Sequence, residues 1–97
     1  MSRRAAKVDA NHGTIRDALR AMGASVADTK SAGEGFPDLV VGYRGKTLLV
    51  EVKDGTLPPS ARKLTGPQEK FHSNWRGHVC VVKNVEEAAA LLMEVKV

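Results

Sequence analysis

The chain has 97 residues, 15 of them basic and 11 acidic, for a formal net charge of +4. With 42% apolar and 27% charged residues it has the composition of a folded domain, not of a disordered segment, and its length predicts one domain, 1–97, with a thin core. The single cysteine excludes an internal disulfide and a thiolate zinc cluster, and no apolar run nears the ~20 residues of a membrane span.

Met1-Ser2-Arg3-Arg4 is followed by no hydrophobic region, so no signal peptide is expected and the expected compartment is a reducing cytoplasm. Cys80, in the run Val79-Cys80-Val81-Val82, reads as a small buried hydrophobe. A core this thin makes dimerisation a natural way to bury more surface.

Ile15, Ala18, Leu19 and Met22 fall at i, i+3, i+4, i+7, which predicts a helix over 10–22 stopped by Gly23. Residues 24–28 read as a short strand, and 29–37, with Gly33, Gly35 and Pro37, as a loop. Residues 38–43 and 46–53 flank the turn Arg44-Gly45 and predict an antiparallel hairpin. Residues 54–66, with Pro58-Pro59, form a connection long enough to be functional or mobile. Thr65-Gly66-Pro67-Gln68 opens a second helix, with Thr65 as N-cap and Gln68 at the capping-box position, ending near Gly77. Strand 78–82 follows, and Asn84 caps a last helix with Glu87 three residues on. The predicted order is α-β-β-β-α-β-α, an α/β domain with a mixed central sheet.

Strand 46–53 carries an oddity. Side chains alternate, so Thr47, Leu49, Glu51 and Lys53 share one face, and Glu51 and Lys53 project side by side at the end of an apolar strand. A carboxylate there needs a strong partner. A simple Glu51–Lys53 ion pair is the plainer explanation. Counting outward from the turn, however, sets Tyr43 opposite Lys46 and Asp38 opposite Glu51. Two carboxylates at cross-strand distance repel unless a cation lies between them. Hard oxygen ligands with open positions suit Mg²⁺ or Mn²⁺. With Lys53 beside them, the combination suits phosphodiester hydrolysis.

Gly35-Phe36-Pro37-Asp38 followed by Glu51-Val52-Lys53 resembles the PD-(D/E)XK nuclease superfamily, and within it the small VRR-NUC and Holliday-junction-resolvase-like members. The element order is that superfamily's restriction-endonuclease-like core, and the resemblance runs from about Asp9 to Glu87. Leu64-Thr65-Gly66-Pro67-Gln68 resembles the Gln-bearing helix start of VRR-NUC members. The resemblance implies a metal-dependent DNA endonuclease, structure- or strand-directed, in which Asp38, Glu51 and the Val52 carbonyl bind Mg²⁺ (or Mn²⁺ in its place). Lys53 would be the catalytic lysine, and Gln68 would line the site, a role compatible with capping its helix.

Many relatives carry a first-helix glutamate at a position that falls here at or near His12. Asn11 or His12 could hold a water of the metal shell instead, or His12 could be an ordinary helix residue. Glu34, in the loop before Asp38, is a substitute ligand to consider. Phe71 and Trp75 are expected to pack on the sheet, while His72, one turn beyond Gln68, stays open. Arg3, Arg4, Lys7, Arg62 and Lys63 are candidate phosphate contacts, with solvated surface charge as the plainer alternative for each. The expected partners are DNA and a second copy in a homodimer, with no membrane. Two rivals stand beside this reading: a catalytically inactive DNA-binding module of the same fold, and an oligomeric scaffold whose Glu51–Lys53 pair is only structural.

Overall fold

The computed structural model describes residues 9–97. Its elements are α1 (His12–Ala21), β1 (Ser25–Asp28), β2 (Leu39–Tyr43), β3 (Lys46–Val52), α2 (Gly66–Asn74), β4 (Val79–Val82) and α3 (Val85–Met93). The four strands form one mixed sheet in the order β1-β2-β3-β4. β2 runs antiparallel to both β1 and β3, and β4 runs parallel to β3, so α2 lies in the crossover between β3 and β4.

The hairpin follows directly from its turn. Arg44 and Gly45 have φ of 53° and 79°, the two left-handed residues a type I′ turn requires. That turn fixes Tyr43 opposite Lys46 and, four pairs on, Leu39 opposite Val50. One face of the sheet therefore carries Leu39, Val41, Leu48, Val50 and Val52, joined on β4 by Cys80 and Val82. α1 brings Ile15 and Leu19 to the core, and α3 brings Ala88, Leu91 and Leu92. Each such aliphatic side chain removed from water contributes roughly 1.5–3 kcal/mol, so the fold rests mainly on this face. Cys80 is half-buried at its margin, and burial raises its thiol pKa to about 11.

The opposite face is thinly covered. It carries Val40, Leu49, Val81, Glu51 and, by continuation of the register, Asp38. Nothing on α2 is fully buried. Phe71 is half-buried and Trp75 is 43% exposed, so the expectation that both pack on the sheet is corrected. The helix meets the sheet through its first turn, and its aromatic side chains turn to the loop before β2, where Phe71 packs edge-on against Phe36. α2 also ends sooner than expected, at Asn74, because Trp75 adopts extended backbone.

Local signals account for the remaining boundaries. Gly23, at φ 102°, ends α1. The helix starts at His12 with Asn11 at its N-cap position, but the Asn11 Oδ1 accepts no capping bond; its Nδ2 donates to the carbonyls of Lys53 at 3.0 Å and Lys83 at 2.8 Å. Asn84 caps α3 by accepting from the Glu87 amide at 2.8 Å. The long connection is ordered by its own polar groups: Asp54 accepts from the amide and hydroxyl of Thr56, and Arg62 donates to the Leu57 carbonyl at 2.9 Å. No helix among the described residues is long and apolar enough to cross a membrane.

Candidate active site

Asp38 ends the loop before β2, and its backbone carbonyl still accepts from Thr29 at 2.8 Å, so it is fixed on the β1 side. On the β3 side its Oδ2 accepts from the Val52 amide at 2.9 Å. The side chain thus prolongs the hairpin ladder beyond Leu39. Its other oxygen, Oδ1, lies 3.1 Å from Lys30 Nζ. Val52 is therefore held at the site through its amide.

Glu51 is fully buried directly across from Asp38. Its Oε2 accepts from Gln68 Nε2 at 2.8 Å, whereas its Oε1 is buried without a partner. Burial, and then the neighbouring Asp38 carboxylate, push the Glu51 pKa up to about 8; Lys53 and Lys30 pull the other way. Lys53 pairs with Glu51 only at the long limit of an ion pair. Its Nζ stands 4.0 Å from Glu51 Oε2 and donates instead to Gln68 Oε1 at 2.9 Å.

Gln68 joins the two. Its side-chain carbonyl oxygen accepts from Lys53 and also from the Thr65 amide at 2.9 Å, and its backbone N–H donates to the Thr65 hydroxyl oxygen at 3.3 Å. The capping box and the site contact are one arrangement, as the dual reading of Gln68 anticipates. The helix cap thus fixes the angle at which Gln68 presents its amide to Glu51 and Lys53. His72, one turn on, has a buried ring nitrogen without a partner, and burial followed by the Lys53 charge lowers its pKa.

A cleft of about 280 Å³ opens beside this cluster, lined by Lys30, Glu34, Phe36, Asp38, Thr65 and Gln68 among others. Glu34 thus shares the cleft with Asp38, though it is exposed and has a left-handed φ of 56°. Lys30 is the residue that sequence reasoning missed. It reaches Asp38 because a single 3-10 turn at Lys30–Ala32 folds the loop back, and no spacing in the sequence announces that.

The first-helix positions are engaged elsewhere. His12 is buried and its Nε2 pairs with Asp28 Oδ2 at 3.0 Å. Asp28 stands opposite Leu39, whose side chain lies on the α1 face, away from Glu51. The hydrogen bond to His12 is the largest cause holding the Asp28 carboxyl below the usual carboxylate range, with the Lys30 amide and Arg16 adding to it. Asn11 ties α1 to the ends of β3 and β4, with its Oδ1 buried and unpartnered. Of the candidate phosphate contacts, Arg3, Arg4 and Lys7 lie outside the described residues. Arg62 is half-buried on the connection it braces, and Lys63 is exposed.

Among the described residues no three His, Cys, Asp or Glu side chains converge as a ready-made metal cluster. The pair Asp38–Glu51 is chemically suited to a hard divalent cation: two adjacent carboxylates, Glu51 with a buried oxygen lacking a donor among the described residues, and Asp38 lining the cleft. Mg²⁺ commonly takes only one or two protein carboxylates and fills its remaining positions with water and phosphate oxygens. No protein-family model, no characterised protein and no solved structure matches this chain.

Proposed function

We propose that this chain is a metal-dependent deoxyribonuclease with a restriction-endonuclease-like core of the PD-(D/E)XK type, close in character to small VRR-NUC nucleases. The observation that carries the reading is the network Asp38–Glu51–Gln68–Lys53, in which a fully buried glutamate faces a second carboxylate and keeps one oxygen unpartnered. A structural ion pair needs no second carboxylate and gains nothing from one.

Asp38 and Glu51 would hold Mg²⁺ or Mn²⁺, which when bound would activate water for attack and offset charge on the phosphate. The chain's own groups do the rest. The Val52 amide and Lys30 orient Asp38. Gln68 fixes both the Glu51 carboxylate and the Lys53 ammonium, so Lys53 is pre-oriented to donate to a phosphate oxygen as negative charge grows there. The net charge of +4, with Lys63 and Lys70 exposed, suits a polyanionic substrate. A symmetric dimer belongs to this reading, with exposed Val81 and Met93 as apolar surface to cover.

One observation favours the inactive DNA-binding alternative: His12 is committed to Asp28 and no third carboxylate is bonded into the network. Cleavage of labelled supercoiled, single-stranded, flap and four-way-junction DNA with Mg²⁺ or Mn²⁺ separates the two. Cutting by the wild type that disappears in Glu51→Gln is expected. Equal binding by both proteins with no cutting by either favours the alternative.

A further inference from the structure

A second concavity, of about 460 Å³, lies beside the catalytic cleft. Phe71 and Trp75 form one wall, their rings stacked 5.2 Å apart at 16°. Phe36 supports Phe71 edge-on from behind at 5.3 Å. Trp75 is nevertheless 43% exposed, an expensive way to leave a large aromatic in a chain with few of them. Gly77 keeps the indole close to the backbone, since a Cβ there would stand 2.7 Å from Trp75 Nε1.

The groove adjoins the catalytic cleft, and Glu34 and Pro67 line both. The shared wall is rigid: a Cβ on Gly35 would stand 2.3 Å from the Pro67 carbonyl oxygen, so loop and helix touch through their backbones. Lys70 stands on the groove and forms no ion pair among the described residues, offering a positive charge beside the rings. Glu34 is the one negative charge among the residues that line it.

We infer that this groove is a stacking site for an unpaired base of a DNA strand lying across the catalytic cleft, with Trp75 as the platform and Lys70 beside the adjoining phosphate. The inference rests on the proposed nuclease reading and deepens it, since it selects single-stranded or frayed DNA over intact duplex. A base stacked inside a duplex cannot offer its face to Trp75, whereas every unpaired base can.

Trp75 is the only tryptophan in the chain, so its emission reports the groove directly. The test is titration of the wild-type chain, in EDTA and at low salt, with an oligothymidylate strand and with a blunt duplex of equal length. Saturable quenching by the strand and little by the duplex is expected. Trp75→Ala should weaken strand binding about tenfold and leave duplex binding unchanged, and Trp75→Phe should restore most of it. Strand binding without quenching, or undiminished in Trp75→Ala, overturns the inference. So does a wild-type dimer that becomes monomeric in Trp75→Ala by sedimentation, which would give the groove to a second copy. Quenching by the strand without cleavage in Mg²⁺ supports the stacking site and removes the nuclease reading; cleavage without quenching does the reverse.

Discussion

Glu51→Gln should remove activity and stabilise the fold, two effects that point in opposite directions for one reason. The Glu51 pKa is raised from 4.5 to about 8 by burial and by Asp38. A carboxyl whose folded pKa lies above its unfolded one binds more protons in the folded state, so stability falls as pH climbs from about 4.5 to about 8 and is flat on either side. Each tenfold in proton affinity corresponds to about 1.4 kcal/mol, so ionised Glu51 costs the fold on the order of 5 kcal/mol above pH 8 and on the order of 3 kcal/mol at pH 7.

Glutamine is neutral and close in shape. Its carbonyl oxygen can keep the Gln68 Nε2 hydrogen bond, and its amide can donate toward Asp38. The expected gain in EDTA is about 1–3 kcal/mol at pH 7, which for a chain of this size raises Tm by roughly 5–15 °C. The gain should grow at pH 9 and vanish near pH 4.5. Divalent cation should offset most of this difference at pH 7, since a ligand at 100 times its Kd adds about 2.7 kcal/mol to a protein that binds it and nothing to one that does not. Thermal melts of both proteins at three pH values, with EDTA and with Mg²⁺, measure this. A Glu51→Gln variant no more stable than wild type at pH 9 in EDTA would refute the claim that Glu51 is held against its own ionisation.

Other outcomes follow from the same geometry. Lys53→Met should lower cleavage on the order of 10²–10³-fold in kcat, the size of effect seen when a donor to developing charge is removed, and single-turnover rates measure it. Activity should rise with pH as Glu51 ionises, with the midpoint moving to lower pH as metal concentration increases, because metal and proton compete for the same carboxylate. Lys30→Ala should move that limb to higher pH, since the Lys30 charge lowers the proton affinity of Glu51; pH–rate profiles at fixed Mg²⁺ check both. Gly35→Ala should cost roughly 2–4 kcal/mol, because its φ is 81° and its Cβ would run into the Pro67 backbone. Gly33→Ala has open space around it but sits at φ 76° and ψ −176°, a region essentially confined to glycine, so it should cost about 1–3 kcal/mol from backbone preference alone, and urea melts of the two variants measure what the Pro67 clash adds.

The carboxylate pair was legible in the sequence because its geometry is set locally. A two-residue turn and a period of two fix the register, and the register alone carries Asp38 to Glu51. Gln68 was legible for a similar reason: a capping box fixes where the first turn of α2 points. The residues that escaped all depend on contacts between segments with no shared periodicity. Lys30 reaches Asp38 through a 3-10 turn in a loop. His12 meets Asp28 only because of how α1 crosses the sheet. Trp75 misled by its spacing. Gln68, Phe71, His72 and Trp75 do share a helical side, but helical spacing says only that a face exists, not that a hydrophobic surface awaits it. Here the apolar side chains of the sheet lie mostly on the α1–α3 side. The α2 side holds two carboxylates and a lysine. A helix set over a charged site can bury its polar first turn there and has little apolar sheet on which to bury the rest. The exposure of Trp75 and the burial of Glu51 are thus two consequences of one choice, the placing of the charged cluster on the thinly covered face.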